Sequence, residues 1–179
     1  NLGMEKPVSV FVAGKLVAEN GAPAGGKPGQ AWYEQENTVK LPQIGSPADF
    51  DLRAPEDCGK AANVVVINAD LAEQLSPDYR AQRASLPVRN GKVRIDDPER
   101  LQYICVANRY GAGGRTIAVV SNFGLTSGAL ATTISHDSHN LTVVYTDSAS
   151  AFAAAKELER VGGGICVAKD GKVVDTLRL

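Results

Sequence analysis

The residues best suited to chemistry form one polar run: His136, Asp137, Ser138, His139 and Asn140. The run contains both histidines of the chain and stands between an Ala/Thr/Ile-rich stretch and the apolar segment 141–145. Imidazole, carboxylate and hydroxyl groups can bind a metal, transfer protons or hydrogen-bond a ligand. Because polar groups in an apolar neighbourhood need such partners, the run indicates either a binding function or a structural hydrogen-bond network.

The spacing of the histidines argues against an autonomous metal centre. Residues three apart share a face of a helix but point to opposite faces of a strand. A catalytic metal usually has at least three protein ligands, and no nearby residue completes a set with His136, Asp137 and His139. We therefore assign no metal ligand, bound cofactor or definite catalytic residue. We predict a loop from a helix end to a strand start, in which Asp137 orients an imidazole while Ser138 and Asn140 bond free backbone groups.

Two glycine-rich segments are weaker candidates. Residues 108–115 carry Arg109 and Arg115 and could cradle an anion through backbone N–H groups. They lack the spacing of the dinucleotide and phosphate loops, so we predict a long hairpin loop. Gly162–Gly164 predicts a helix stop rather than a phosphate cradle, because a strand follows.

Composition narrows the class of partner. Nineteen basic and twenty acidic residues give a formal net charge of -1, which supplies no electrostatic footprint for nucleic acid. No apolar run reaches membrane-spanning length, and no secretory signal is recognisable. The three cysteines lack paired spacing and predict reduced core thiols. We therefore expect a cytoplasmic protein with no nucleic-acid and no membrane partner.

The patterning predicts an α+β fold: a mixed, largely antiparallel, hairpin-linked sheet with two or three packed helices. Hairpins are expected near residues 8–18, around Asn90-Gly91 and over residues 169–172. One helix is predicted over 128–134 and another after the Asp147 cap. The Gly/Pro-rich residues 21–30 mark the best boundary, which separates 1–35 from 36–179.

Residues 122–144 resemble the signature of the C-terminal domain of bacterial adenine deaminases, which belong to the amidohydrolase superfamily. The resemblance is carried by Asn122-Phe-Gly124, Gly128-Ala129 and the whole polar run. The flanks agree in order and spacing: Asn37–Leu41, Asn90-Gly91-Lys-Val, Gly162–Ile165 and Asp170-Gly171-Lys-Val. Residues 1–35 look like the last hairpin of the superfamily's small β domain plus a linker, and 36–179 like the C-terminal domain.

The resemblance implies a metal-dependent hydrolase of purine salvage and adenine catabolism, which converts adenine and water to hypoxanthine and ammonia. It implies a divalent metal, manganese or iron, that activates water in a barrel domain, and no counterpart of that barrel occurs in these 179 residues. The expected partners are a barrel domain or chain, adenine, and further copies in a homo-oligomer. Whether this chain acts alone stays open.

Site residues follow from the same resemblance. It implies substrate-side or supporting roles for the polar run and Arg109. Three positions depart from the family pattern: Asn108 and Tyr110 stand where the family has Glu and His on either side of Arg109, and Tyr145 replaces glycine. A non-catalytic packing or oligomerisation domain, with the polar run as a structural network, is the main alternative, and a free-standing purine-binding module is another.

Overall fold

A three-stranded antiparallel sheet forms the first of two units into which the chain divides, Asn1–Gln35 and Glu36–Leu179. The computed structural model describes residues 8–25, 37–70, 75, 82–136 and 138–179. The strands of the first unit are β1 (Ser9–Val12), β2 (Lys15–Glu19) and β3 (Ala22–Pro23). The predicted hairpin joining β1 and β2 is confirmed.

Nine strands form one mixed sheet in the described residues of the second unit. They are β4 (Ala61–Asn68), β5 (Gln82–Arg89), β6 (Lys92–Val93), β7 (Leu101–Ala107), β8 (Arg115–Ser121), β9 (Ala129–Thr132), β10 (Leu141–Tyr145), β11 (Gly164–Lys169) and β12 (Lys172–Arg178). Their spatial order is β12-β11-β9-β10-β7-β8-β4-β5-β6. Only the pairing of β4 with β8 is parallel among these described strands.

Tight turns explain why so many neighbouring strands pair as hairpins. Asn90 and Gly91 have φ angles of 53° and 69°, and Asp170 and Gly171 have φ angles of 52° and 70°. Positive φ at both central residues gives the turn twist that suits an antiparallel hairpin, and asparagine, aspartate and glycine tolerate it best. Both predicted hairpins are confirmed.

The helix α1 (Ser148–Val161) has both of its predicted ends. The Asp147 side chain accepts a hydrogen bond of 2.7 Å from the backbone N–H of Ser150, which satisfies an otherwise unpaired donor of the first turn. Gly162, at a φ of 89°, ends the helix in the left-handed conformation. The buried face is made mostly of small residues, so the helix lies close to the sheet: Ser150, Ala151, Ala154, Ala155 and Leu158.

The predicted helix over 128–134 is wrong, because this segment contains strand β9. Ala129 and Ala131 are fully buried while the residues between and after them are half-buried, a period of two. The strand pairs with β10 on one side and β11 on the other. Alanine favours helices in isolation, but two complete ladders of hydrogen bonds and the burial of small side chains under α1 outweigh that preference.

The main core lies between α1 and one face of the sheet. Tyr145, which is fully buried, stacks on Tyr103 with ring centroids 5.3 Å apart and meets Phe50 edge-on at 5.5 Å. Its hydroxyl donates a hydrogen bond of 2.6 Å to the backbone carbonyl of Phe50. The tyrosine at this position therefore fastens the 3-10 helix Pro47–Phe50 to the sheet.

The cysteines largely follow the prediction of reduced core thiols. All three are free; Cys105 and Cys166 are buried and Cys58 is half-buried. Burial raises the pKa of the Cys105 thiol to about 12, so this group is protonated at neutral pH.

The architecture is α+β, as predicted, with a large, mostly antiparallel sheet. The helix count is lower than the two or three expected: the described ranges contain one α-helix and one short 3-10 helix. The structure contains no helix, within those ranges, that is long and apolar enough to cross a membrane.

Candidate functional site

The polar run lies in the histidine loop, residues 133–140, which connects β9 to β10. The predicted loop ending at a strand start is confirmed, but it begins at a strand rather than at a helix end. Antiparallel pairing places Leu141, the first residue of β10, opposite Ala107, the last residue of β7. The histidine loop therefore lies beside the β7–β8 loop, which carries Arg109.

Local hydrogen bonds shape the histidine loop. The backbone N–H of His139 donates to the carbonyl of Ser135 at 2.9 Å, and that of Ser138 donates to the carbonyl of His136 at 3.0 Å. The Ser138 hydroxyl accepts a long bond of 3.4 Å from the backbone N–H of Asn140, which agrees with the backbone-bonding role predicted for this serine. His139 has a φ of 49°, a left-handed conformation that few non-glycine residues adopt.

The loop presents its polar groups at the surface. His136, Ser138 and His139 are exposed and Asn140 is half-buried, whereas Asp137 lies outside the described residues. A purely structural network would enclose both imidazoles, and here neither is enclosed. Exposed imidazole and hydroxyl groups can hydrogen-bond a ligand or a partner surface.

Tyr110 connects Arg109 to the histidine loop. Its hydroxyl donates a hydrogen bond of 3.0 Å to the backbone carbonyl of Ser138. The Arg109 guanidinium lies 4.9 Å from the centre of the Tyr110 ring and donates weakly, at 3.4 Å, to the hydroxyls of Tyr110 and Thr38. The structure thus brings two sequence-predicted site residues, Arg109 and Ser138, to the same sheet end.

Sequence reasoning did not assign Tyr110 to the site. A tyrosine in a glycine-rich loop gives no indication of which distant carbonyl its hydroxyl will reach. Its position shortly after the end of β7 could have indicated the contact. The histidine loop ends where β10 begins, and β10 pairs with β7, so residues that follow β7 lie near this loop.

Arg109 retains capacity for a further acceptor. Among the residues that the structure describes, none accepts a hydrogen bond from its buried Nε and no carboxylate lies within ion-pair distance of its guanidinium. The backbone N–H of Lys40 donates to the Arg109 carbonyl at 2.8 Å, which places the Lys40 backbone beside Arg109. This corner of the sheet suits a negatively polarised group.

Arg115, the other arginine of the glycine-rich segment, is fully engaged within the fold. Its Nε and Nη1 atoms donate to the backbone carbonyls of Asp49 at 2.7 Å and Gln43 at 2.6 Å. Its Nη2 atom lies 2.9 Å from the Asp49 carboxylate. The segment is a long hairpin loop, as predicted, and Arg115 holds residues 43–49 against β8.

The glycines after α1 anchor the start of the histidine loop. The backbone N–H of Gly164 donates to the Thr133 hydroxyl, and the backbone N–H of Thr133 donates to the Gly164 carbonyl, both at 2.9 Å. The predicted helix stop at Gly162 is confirmed. One end of the loop is thereby bonded to β11, while Tyr110 bonds its middle.

A cleft of about 460 Å³ lies at the opposite ends of β7 and β10. It is lined in part by Asp51, Lys92 and Ser148. Lys92 pairs with Asp51 at 2.5 Å, and the Ser148 hydroxyl donates to the same carboxylate at 3.0 Å. None of the predicted site residues that the structure describes lines this cleft.

The described residues do not fit a metal centre. Among the described residues, which exclude Asp137, no three histidine, cysteine, aspartate or glutamate side chains lie close enough together to hold a metal ion.

Comparison with known proteins assigns the family. The sequence profile of the adenine deaminase C-terminal domain matches residues 79–179, more than half of the chain. The chain belongs to this family. The match includes Arg109, Tyr110 and the whole histidine loop, so the site described above lies inside the adenine deaminase C-terminal domain.

The chain is similar to part of several adenine deaminases. It is 38% identical over 168 residues to that of Ruegeria sp. (strain TM1040), covering 92% of this chain and 27% of the relative. It is 37% identical over 179 residues to that of Ruegeria pomeroyi, covering 97% and 29%. It is 32% identical over 176 residues to that of Bacillus pumilus, covering 96% and 29%. The chain thus spans less than a third of the length of these relatives.

Proposed function

We propose that this chain serves in the hydrolytic deamination of adenine to hypoxanthine and ammonia, as the C-terminal domain of an adenine deaminase. The observation that carries the proposal is the exposed histidine loop, held by Tyr110 and Thr133 inside a domain whose relatives are named adenine deaminase. A loop that is fixed at its base and exposed at its tip suits substrate contact, because its polar groups are positioned before the ligand arrives.

The proposed role of the loop is to bind and orient the purine. Adenine offers ring-nitrogen acceptors and amino-group donors, and neutral imidazole can both donate and accept a hydrogen bond. His139 and Ser138, which are exposed, are the proposed substrate-side groups, supported by His136 and Asn140. Arg109 would stabilise a negatively polarised group near the same sheet end. Asp137 keeps its proposed role of orienting an imidazole.

The remaining requirements are assigned to other parts of the enzyme. The divalent metal, manganese or iron, would be held by a barrel domain or chain, since the described residues do not fit a metal centre. We further propose that the first unit belongs to a small β domain of that barrel portion, that the enzyme is cytoplasmic and that it is homo-oligomeric.

The test replaces His139 in a full-length enzyme that carries this chain as its C-terminal domain. His139→Ala should lower kcat/KM for adenine by about tenfold or more, a loss of roughly 1.4 kcal/mol in transition-state stabilisation. The matched control is Lys169→Ala, an exposed change on β11. Circular dichroism should show the same fold in both variants, and unchanged kinetics in His139→Ala would reject the substrate-side role.

A further inference from the structure

The sheet face turned away from α1 carries rows of apolar side chains across several strands. Directly paired residues share a face of a sheet, so the register defines the rows. One row contains Ala118, Ile104, Val144, Leu130, Val167 and Asp175. The next row contains Thr116, Val106, Thr142, Thr132, Ile165 and Leu177. We call the residues of these two rows the open face.

The chemistry of the open face is that of an interface rather than of a solvated surface. The solvent-facing side of an antiparallel sheet usually carries polar and charged residues, which alternate along each strand with the apolar residues of the core-facing side. Here the only charged residue is Asp175, on edge strand β12, and the other polar groups are threonine hydroxyls. Val106 and Val167 are 40% exposed and Leu177 is 63% exposed. Val144, in the middle of the first row, is only 3% exposed, so the exposed apolar side chains are Val106 on β7 and Val167 and Leu177 on the β11–β12 hairpin. Uncharged apolar surface of this kind marks a site of protein contact.

The open face adjoins the histidine loop. Thr132 ends β9 and Thr142 lies one residue inside β10, so the second row crosses the base of the loop. Ile134, 46% exposed, donates its backbone N–H to the Thr132 hydroxyl at 2.9 Å. A protein surface packed on the open face would therefore lie next to His139.

We propose that the open face packs against the portion of an adenine deaminase that has no counterpart in this chain. That portion is more than two thirds of each Ruegeria relative, because the chain covers only 27% and 29% of them. It must present an apolar surface, since the open face offers no charge at its centre. This inference rests on the proposed function. Packing of the open face would place the histidine loop against the rest of the enzyme.

The experiment measures side-chain accessibility at two matched valines of the β11–β12 hairpin. Val167, on the open face, is 40% exposed, whereas Val173 is 41% exposed and is paired with Ala168 on the α1 side. Val167→Cys and Val173→Cys are each made in a Cys58→Ser background, in the isolated chain and in a chimera. The chimera is the Ruegeria pomeroyi enzyme with its matched portion replaced by this chain. Alkylation of each cysteine is followed by peptide mass spectrometry.

In the isolated chain both engineered thiols should react at similar rates. In the chimera the thiol at position 167 should react about tenfold or more slowly, because packing removes it from water, while the thiol at 173 keeps its rate. Equal rates at 167 in the chain and the chimera would overturn the proposal. If the chimera fails to fold, the isolated chain is titrated with the separately produced remainder of the same enzyme. Absence of association there also overturns it.

Two further measurements separate the alternatives. Sedimentation of the isolated chain tests for self-association. If the chain forms a dimer that is dissociated by Val167→Lys but not by Val173→Lys, the open face binds a second copy and the proposal is contradicted. Deaminase activity of the chimera tests the proposed function independently. If the thiol at 167 is protected but the chimera is inactive, the proposed packing is supported and the proposed function is rejected. If the chimera is active but the thiol is not protected, the proposed function is supported and the proposed packing is rejected.

Discussion

The hydroxyl of Tyr110 donates a hydrogen bond of 3.0 Å to the backbone carbonyl of Ser138, which joins the β7–β8 loop to the histidine loop. The bond spans 28 residues of sequence, and the Arg109 guanidinium lies over the same tyrosine ring. This hydrogen bond holds the centre of the polar run, so the position of His139 depends on a residue outside the run.

Tyr110→Phe should loosen the histidine loop without unfolding the domain. One net hydrogen bond contributes about 0.5–1.5 kcal/mol, so backbone amide exchange over 135–140 should quicken roughly two- to tenfold. Nuclear magnetic resonance measures both this exchange and the two imidazole signals of the chain.

Tyr103→Phe is the matched control for that change. The Tyr103 hydroxyl donates to the carbonyl of Val93 at 3.0 Å and accepts from the N–H of Ile95 at 2.9 Å, far from the histidine loop. Its loss should lower the free energy of unfolding by about 1–3 kcal/mol, because buried groups lose their partner. Identical loop exchange in Tyr110→Phe and the unmodified chain would refute the positioning role.

Asp49 should contribute to stability at neutral pH and lose that contribution in acid. The backbone N–H of Gly45 holds the pKa of this carboxyl below its usual value of 3.8, helped by Ser46 and the charge of Arg115. A depressed folded-state pKa stabilises the protein above the unfolded value, and the stabilisation disappears as pH falls through the folded value. Asp49→Asn should therefore weaken the protein at about pH 7 and flatten its stability curve below about pH 4.

Urea unfolding across that pH range measures the effect. The control is Asp57→Asn, which changes an exposed carboxylate and should leave the curve nearly unchanged. If Asp49→Asn behaved as Asp57→Asn does, the hydrogen bonds of Asp49 would have no net stabilising role.

Gly128→Ala should distinguish a strand from a helix at β9. Gly128 has a φ of 80°, and an added Cβ would lie 2.3 Å from the carbonyl oxygen of Ala168 on β11. We expect a loss of about 2–4 kcal/mol in the free energy of unfolding, from backbone strain and overpacking together. In a helix the same change would be neutral or stabilising.

Gly113→Ala supplies the control in the same denaturation experiment. Gly113 has a similar φ of 74°, but no atom lies within 4 Å of an added Cβ. The loss there should be about 1 kcal/mol, which reports the conformational cost alone. Equal losses in the two variants would contradict the close packing of β9 against β11.

The elements that could be predicted from sequence are those set by nearby residues. Asn90-Gly91 and Asp170-Gly171 determine their hairpins because both central residues of each turn adopt positive φ readily. The ends of α1 follow from Asp147 and Gly162 for similarly local reasons. The polar run was recognised as a candidate site because its composition is unusual for its surroundings.

Only the tertiary structure decided that β9 is a strand and that Tyr110 reaches Ser138. Ala129 and Ala131 favour a helix by themselves, and their strand conformation depends on partners that lie later in the sequence. Likewise, the pairing of Leu141 with Ala107 brings the two loops together. The sequence by itself thus determined local turns, caps and the candidate polar groups. Which of those groups meet was decided by long-range strand pairing, since its energy comes from hydrogen bonds and burial between distant segments.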